Sequence, residues 1–447
     1  MTTPPLPPPA LSDYGEACLT TSPVNRMMAE YAVDFRDGID INLGVGYVNE
    51  ATLPREGIRQ GLDAVLADPD RYRAALNYGG PTGSANLTGS FRQWYLQHGP
   101  EGVDEALLDE RHLLIGPNGA TSLLESLALL LQRGIVIVAD PLYYIYCDVL
   151  QRAGFELLAI PEDAEGLSAD GLLQAIEALG DRVAEISFVY VVTVHNPTAT
   201  VMSNRRRRQI VDIVSDLSRR LDRRIPLVAD RAYEDLIHDE SLERPRSMMA
   251  DDAIGIVYEI GTVSKIIAPA LRIGYVVAPA GPLISALTQR TSDAGFSAPL
   301  ITQEISSWLL DHLVAEQVQR VNDGYRHKAQ VVGEELRRRL GPYLQNLTGG
   351  QAGFYYYLSF ESIDTTLNSP FHRYLTRTTG DRAIDAVGQL LQPRVIYIPG
   401  EFCAHPTGQL ASVGQRQLRL SYGFEELEQI SAAIGYMAEA CTWATSR

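Results

Sequence analysis

The feature that most constrains the fold is an alternation, between about residues 111 and 299, of short apolar runs with longer amphipathic segments. The segments place leucines at helical spacing, as at positions 123, 124, 127, 130 and 131. Runs that are apolar at successive positions are typical of strands covered on both faces by helices. We therefore predict an α/β fold with a mainly parallel central sheet. The predicted strands are residues 135–139, 186–192, 225–229, 254–260 and 272–278.

The pattern changes after about residue 299. One long, arginine-rich helical stretch is predicted to continue to Leu340, and strand candidates follow at residues 353–360 and 394–398. This mixture indicates a second, smaller α+β domain. The predicted organisation is a flexible proline-rich arm (1–10), an N-terminal segment that joins the small domain (11–70), a large domain (71–310) and a C-terminal small domain (311–447).

Composition argues against several classes of protein. The chain has 447 residues, with Lys+Arg 38 and Asp+Glu 55, and its net charge of -17 disfavours nucleic acid and anionic membranes as partners. No stretch approaches the roughly 20 apolar residues of a membrane span, and the N-terminus lacks the pattern of a signal or transit peptide. The four cysteines form no CxxC pair and the histidines are scattered, so we expect no metal site and a cytoplasmic location.

Lysine is rare in this chain. Only Lys265 and Lys328 occur, and every other basic residue is arginine. Lys265 ends an apolar run beside Val263 and Ile266, where loss of solvent would lower the pKa of the amine and make it nucleophilic. Lys328 lies in a polar part of the long predicted helix, where we expect a solvated side chain. Lys265 is therefore the candidate nucleophile.

Polar side chains directly follow four of the predicted strands. In an open α/β sheet, ligands bind beyond the carboxyl ends of the strands, so these side chains should converge on one edge. They supply aromatic rings, an amide, a carboxylate, hydroxyls and an amine. In strand order they are Asp140, Tyr143, Tyr144 and Tyr146; His195 and Asn196; Asp230 and Tyr233; and Thr262, Ser264 and Lys265.

A glycine-containing turn, GPNGAT at residues 116–121, opens the leucine-rich helix. Small residues at a helix start leave backbone N–H groups free to hold a phosphate. The GxxxxGK[ST] and strand-anchored GxGxxG patterns are absent, which argues against nucleotide and dinucleotide binding. A phosphate cradle, a nucleophilic amine, aromatic rings and a carboxylate are the groups that pyridoxal 5′-phosphate (PLP) requires.

Six segments, in order between about Asn42 and Tyr436, resemble motifs of the fold-type I PLP-dependent aminotransferases. The most specific is SKIIAPALRIGY at residues 264–275, which is similar to the family's SKxxxPGLRxGY. Within the class I/II superfamily, the resemblance is greatest to the branch of 2-aminoadipate, kynurenine and valine–pyruvate transaminases. The other segments are 77–83 (NYGGPTG), 141–146 (PLYYIY), 196–198 (NPT), 230–233 (DRAY) and 419–421 (RLS).

The resemblance implies a fold-type I PLP-dependent transferase whose large domain binds the cofactor. Lys265 would form the Schiff base with PLP, and Asp230 would pair with the pyridinium nitrogen. Asn196 and Tyr233 would hydrogen-bond the ring oxygen, while Tyr143 would stack on the ring. The implied phosphate contacts are Ala120, Thr121, Thr262, Ser264 and Arg272, with Tyr78 reaching in from the neighbouring subunit of a homodimer.

The resemblance also implies how a substrate would bind. Arg419 would take the α-carboxylate as a bidentate fork beside Asn196, a geometry that suits arginine better than lysine. The turn from Gly44 to Tyr47 would close over the substrate. With Lys265, Asp230 and Tyr233 as catalytic residues, the implied reaction moves an amino group between an L-amino acid and a 2-oxo acid.

Two departures from the motifs and two alternatives stay open. Ala199 and Ala270 stand where the family has glycine, which predicts an altered backbone beside the cofactor, and His195 could act as an acid–base group or only pack. PLP-dependent elimination, replacement or ring-forming enzymes share every cofactor motif described above. A non-catalytic PLP-binding transcriptional regulator would need a winged-helix domain, whereas about 40 residues precede the predicted fold.

Overall fold

The computed structural model describes residues 9–385 and 392–446, so most of the predicted proline-rich arm, residues 1–8, lies outside the described residues. The strands in chain order are β1 (Ile41–Asn42), β2 (Arg111–Ile115), β3 (Ile135–Asp140), β4 (Glu156–Asp163), β5 (Gly166–Leu167), β6 (Ile186–Val192), β7 (Leu227–Asp230), β8 (Val257–Thr262), β9 (Gly274–Pro279), β10 (Leu344–Gly349), β11 (Tyr355–Phe360), β12 (Val395–Ile396), β13 (Ile398–Pro399) and β14 (Gln417–Ser421).

The helices alternate with these strands. In chain order they are α1 (Asp13–Cys18), α2 (Pro23–Ala32), α3 (Arg55–Ala67), α4 (Ala85–His98), α5 (Glu105–Asp109), α6 (Gly119–Leu130), α7 (Tyr144–Arg152), α8 (Ala169–Ala178), α9 (Asn204–Arg220), α10 (Pro282–Asp293), α11 (Leu300–His312), α12 (Val314–Leu340), α13 (Pro370–Leu375), α14 (Arg382–Asp385), α15 (Ala411–Gly414) and α16 (Leu427–Thr445).

Eight strands form the large sheet, in the order β2-β9-β8-β7-β6-β3-β4-β5. The five central strands, β8 to β4 in that order, pair in parallel, whereas β2, β9 and β5 pair antiparallel to their neighbours. The predicted α/β fold with a mainly parallel central sheet is therefore confirmed. The apolar run at 272–278 forms β9, one of the antiparallel members.

Burial on both faces explains why the central strands are apolar throughout. Ile135 and Ile137 of β3 belong to one core cluster, and Val136 and Val138 belong to another. Helices α4, α8 and α9 contribute to the first cluster, while α6, α7 and α10 contribute to the second. Because successive side chains of a strand point to opposite faces, each central strand needs an apolar residue at nearly every position.

A second, smaller sheet contains β10, β11, β14 and β13, all antiparallel, and confirms the smaller α+β domain. Helices α12 and α13 both pack on α16 beside it. The N-terminal segment joins these elements where β1 pairs in parallel with β12. Just before β1, the buried carboxylate of Asp40 forms ion pairs with Arg36 and Arg394, the latter at 2.8 Å.

The single long helix predicted after residue 299 is wrong: two helices, α11 and α12, meet at Leu313. Leu313 leaves the helical conformation with φ -134°. Helix α11 packs on α3 and α4, whereas α12 packs on α16 of the smaller domain. The break lets the two consecutive helices pack against different layers of the fold. The spacing of apolar residues along a helix does not show such a break, because the break depends on tertiary packing.

Across residues 9–385 and 392–446, no helix has both the length and the apolar character needed to cross a membrane.

Candidate active site

One cavity of about 140 Å³ lies at the carboxyl ends of β6, β7 and β8, beside the start of α6. This is the edge at which ligands bind in open α/β sheets. The structure brings together here many of the residues singled out in the sequence. Those that line the cavity are Ala120, Thr121, Tyr143, Asn196, Asp230, Tyr233, Thr262, Ser264, Lys265 and Arg272.

Lys265 follows the end of β8 and points its amine into the site. Its Nζ donates a hydrogen bond to the carbonyl oxygen of Gly46 at 2.9 Å and lies 5.6 Å from the ring centre of Tyr233. Burial, together with repulsion from Arg419 and Arg272, lowers the pKa of this amine to about 8, although Asp230 acts in the opposite direction. A much larger fraction of the amine is therefore neutral at pH 7 to 8 than in a solvated lysine.

The prediction of a solvated Lys328 is wrong. Its ammonium donates to the carbonyl oxygen of Glu425 at 2.6 Å, and partial burial lowers its pKa. Lys328 lies on α12 and does not line the cavity. Lys265 is thus the only lysine of the described chain that reaches the site.

Asp230 ends β7 and is almost fully buried. One carboxylate oxygen accepts a hydrogen bond from the Tyr190 hydroxyl at 2.8 Å, and the other accepts from the backbone N–H of Ala232 at 3.0 Å. Burial raises the pKa of Asp230, while these hydrogen bonds and the nearby Lys265 and His195 act to lower it. Tyr190 was not among the predicted site residues, although its polar ring inside the apolar run of β6 was a visible signal.

The start of α6 forms an anion cradle with the loop before β9. The first N–H groups of a helix lack partners inside it, and no side chain caps this one. Gly119, at φ +70°, donates its N–H to the Arg272 carbonyl oxygen, and a Cβ there would lie 2.8 Å from the guanidinium. Glycine thus allows the Arg272 side chain to pass close to the helix start, where its Nε donates to Asn118. This cradle suits a phosphate.

Two hydroxyls extend the cradle. The Oγ1 atom of Thr262 lies 2.7 Å from the Ile273 carbonyl oxygen and 2.8 Å from Oγ of Ser264. A hydroxyl carries one hydrogen, and the carbonyl can only accept, so Thr262 donates to Ile273. The Ser264 hydroxyl hydrogen is left to point to Thr262 or into the cavity.

Arg419, on β14 of the smaller sheet, is 1% exposed; it does not line the cavity itself but contacts Asn196, which does. Its terminal nitrogens donate to Oδ1 of Asn196 at 2.7 Å and to the carbonyl oxygen of Gly44 at 2.5 Å. The Tyr355 ring lies 4.4 Å from the guanidinium carbon. The Nε atom of Arg419 has no hydrogen-bond partner among the described residues. A buried guanidinium with an unused donor suits a carboxylate ligand.

The hydroxyls of Tyr233 and Tyr355 form a hydrogen bond at 2.7 Å beside Lys265. Gly46 packs against this pair, and a Cβ at that position would lie 2.6 Å from the Tyr355 hydroxyl. Gly46 belongs to the turn predicted to close over the substrate, and Tyr355 had no individual role assigned from the sequence. The run of three tyrosines at 355–357 was a visible signal. Which of the three rings faces the site depends on how the strand pairs with its neighbours, and the sequence does not show that pairing.

Tyr47 and Tyr78, expected near substrate and cofactor, do not line the cavity. Tyr47 is exposed and its ring contacts Phe424 edge-on. Tyr78 is 84% exposed beside the Phe296 ring. A role for Tyr78 in the site of its own chain is thus not seen, and its expected role from another subunit stays a prediction.

The two alanines at family glycine positions behave differently. Ala199 has φ +55°, the left-handed conformation that glycine adopts without strain, so the loop keeps a glycine-like backbone. Ala270 is exposed in the short helical turn at 269–271 and does not have a positive φ. The altered backbone expected from these substitutions is therefore not required at either position.

The donor set fits PLP. The helix start and Arg272 provide for a phosphate, Lys265 for an aldehyde, and buried Asp230 for a protonated ring nitrogen. Among the described residues, no group of three or more His, Cys, Asp or Glu side chains is arranged to hold a metal ion.

Residues 40–429 match the family model described as aminotransferase class I and II. The chain belongs to this family. A 2-aminoadipate transaminase from Thermus thermophilus is 24% identical over 309 residues, which cover 68% of this chain and 68% of that protein. The crystal structure of a kynurenine aminotransferase from Pyrococcus horikoshii has a TM-score of 0.79 at 20% identity and covers 96% of each chain. The predicted resemblance to fold-type I PLP-dependent aminotransferases is confirmed.

The chain also resembles an uncharacterized HTH-type transcriptional regulator, YisV, from Bacillus subtilis (strain 168). It is 26% identical over 316 residues, which are 70% of this chain and 57% of the regulator. The matched region thus spans little more than half the length of that relative.

Proposed function

We propose that this member of the family is a PLP-dependent aminotransferase that moves an amino group between an L-amino acid and a 2-oxo acid. The observation that carries the proposal is the amine of Lys265, desolvated to a pKa of about 8 in one cavity with the buried carboxylate of Asp230. The cradle formed by α6 and Arg272 and the similarity to a 2-aminoadipate transaminase support it.

Several groups that line the cavity would hold the cofactor. The N–H groups of Ala120 and Thr121, with Arg272, would bind the phosphate, and Asp230 would keep the ring nitrogen protonated. When bound, PLP supplies a pyridinium ring that accepts the electron pair left as a proton leaves the substrate Cα. Lys265 would anchor the cofactor at rest and then carry the Cα proton, because an amine with a pKa of about 8 is effective as both base and acid near neutral pH.

Substrate would bind between the two sheets. Arg419 would receive the α-carboxylate, with Asn196 fixing one edge of the guanidinium and the Gly44 carbonyl the other. The segment from Gly44 to Tyr47 would cover the bound substrate and reduce access of water. Tyr355, which stacks on Arg419, would form a wall of the same pocket.

We also propose a cytoplasmic homodimer. Tyr78 and Leu76 are large, exposed side chains next to Phe296, and this apolar surface would be covered by a second copy of the chain. All four cysteines are free thiols, as expected in a reducing compartment.

A second candidate function is that of a transcriptional regulator that binds PLP without catalysing a reaction. The match to the HTH-type regulator favours it. Such a protein would bind PLP at the same residues without turning over a donor. It would therefore retain the cofactor spectrum but fail to release a 2-oxo acid.

The test is a half-reaction with PLP-loaded protein and each of a panel of L-amino acids, without an acceptor. Transamination predicts conversion of the cofactor to pyridoxamine phosphate with one 2-oxo acid per site. Return of unchanged PLP with ammonia or an altered side chain would instead identify the elimination, replacement or cyclisation alternative. No reaction with any donor, in protein that binds PLP, would favour the sensing function.

A further inference from the structure

The loop at residues 195–200 carries Asn196, which orients Arg419, and holds a strained residue. His195 and Thr200 close the loop, with the N–H of His195 donating to the Thr200 carbonyl oxygen at 2.9 Å. Between them, Ala199 has φ +55° and is 2% exposed. An L-residue is strained in this left-handed conformation, so contacts around the loop must hold it there.

A single carboxylate contacts both ends of this loop. Glu162, near the end of β4, accepts a hydrogen bond from Oγ1 of Thr200 at its Oε1 atom, at 3.1 Å. Its Oε2 atom lies 2.7 Å from Nδ1 of His195, and both side chains are nearly inaccessible to solvent. In the part of the chain that the structure describes, the hydrogen bond and ion pair of Glu162 go to Thr200 and His195, and neither goes to Lys265 or Asp230. We call Glu162 and His195 the loop clamp.

The clamp is built from buried polar groups that have no part in the proposed chemistry. The His195 ring also lies 3.2 Å from Oγ1 of Thr198. Asp140, at the end of β3, faces the same cluster, and burial raises the pKa of its carboxyl to about 6. Burying charged and polar side chains costs free energy unless they are paired, so a cluster that only filled space would be better served by apolar residues.

We propose that Glu162 and His195 are positioning residues that hold Asn196 against Arg419 and thereby preform the site for the substrate carboxylate. The clamp compensates for alanine at a position where glycine would adopt the same backbone without strain. This inference rests on the proposed function for its kinetic consequence, but its structural consequence, the contact between Asn196 and Arg419, is independent of turnover.

The test compares four PLP-loaded proteins: wild type, Glu162→Gln, Glu162→Gln with Ala199→Gly, and the control Glu156→Gln. Glu156 lies at the other end of β4, exposed and paired with Arg182 at 2.6 Å. With the donor found in the half-reaction, Glu162→Gln is expected to raise KM about 10-fold and change kcat less than about 3-fold, because carboxylate binding is misaligned while Lys265 is untouched. The control is expected to match wild type.

Rescue separates positioning from general stabilisation. Glycine at 199 keeps the loop conformation without the clamp, so the double variant is expected to return KM to within about 3-fold of wild type. An unchanged KM in Glu162→Gln, or a KM that the glycine does not restore, would overturn the proposal.

A crystal structure of each PLP-loaded variant without substrate decides the matter even if no donor reacts. We expect the Asn196–Arg419 distance to exceed about 3.5 Å, the limit of a hydrogen bond, in Glu162→Gln and to be restored in the double variant. Retention of the 2.7 Å contact in Glu162→Gln would refute the clamp, whatever the outcome for aminotransferase activity.

Discussion

The amine of Lys265 loses most of its hydration on folding, and this governs its reactivity. Two arginines near it add positive potential, whereas Asp230 alone offsets them. The result is a lysine that releases its proton near pH 8 rather than near 10.4, the value of a solvated side chain. The carbonyl oxygen of Gly46 accepts from the same amine and fixes its direction.

This pKa predicts the pH dependence of cofactor loading. Only the neutral amine attacks an aldehyde, so the rate of PLP binding to cofactor-free protein should rise about tenfold per pH unit below pH 8 and level above it. Stopped-flow absorbance between about pH 6 and pH 10 would measure the profile. A rate that climbs steadily to pH 10 would show that Lys265 is solvated. Lys328→Arg should leave the profile unchanged.

At the scale of elements, two short loops carry alanine where the family has glycine, and only one of them requires a glycine-like backbone. Ala199 holds a left-handed conformation inside the loop that bears Asn196. Ala270 occupies an exposed turn before Arg272. The same substitution should therefore affect folding stability in opposite directions at the two positions.

We predict that Ala199→Gly raises the free energy of unfolding by about 0.5 kcal/mol, since relief of strain exceeds the entropy that glycine adds to the unfolded chain. Ala270→Gly should lower it by about 0.5–1 kcal/mol, because only the entropy term applies there. Urea titrations of the two variants under identical PLP saturation would compare them. A loss of stability at position 199 would show that its conformation is not strained.

The prediction of strand bounds succeeded where burial on both faces is the only factor that sets those bounds. The run 186–192 coincides with β6, in which every residue is buried. The run 254–260 shifted to β8, which begins at Val257, because the Asp252 carboxylate accepts the N–H groups of residues 254–256 and those residues do not join the strand. The helix break at Leu313 depended on which layers α11 and α12 pack against.

Among the residues that line the cavity, the sequence singled out best those whose chemistry is unusual in their local sequence. Lys265 stood out as an amine beside an apolar run, and Asp230 as a carboxylate ending one. Tyr190 and Glu162 were missed, and Tyr355 had no individual role assigned, because their contacts are with residues on other elements of the fold. Their relevance depends on sheet register, which no local pattern records.

At the scale of the whole molecule, the site forms where the two sheets meet. Arg419 of the smaller sheet contacts Asn196, in the loop that follows β6 of the large sheet, and Gly44 of the N-terminal segment, which are 223 and 375 positions away in the chain. Closure of these elements therefore assembles the carboxylate site. In the proposed homodimer, the exposed Tyr78 of a second chain would complete the site.

The proposed dimer would make Tyr78 relevant to cofactor binding although it lies outside the cavity of its own chain. We predict a mass of two chains by light scattering and a roughly 10-fold weaker PLP affinity for Tyr78→Phe, through loss of a hydrogen bond to a charged phosphate. Tyr374→Phe, on the surface of the smaller domain, is the matched control. A monomeric protein with unchanged PLP affinity in Tyr78→Phe would contradict the dimeric site.

The central claim is that Lys265 holds PLP covalently, and the two-lysine composition allows a direct measurement. PLP-loaded protein would be reduced with borohydride, digested, and mapped by mass spectrometry. We predict one phosphopyridoxyl group per chain on Lys265, none in Lys265→Ala, and full labelling in Lys328→Ala. Labelling on Lys328, or no stable labelling of wild-type protein, would contradict the account.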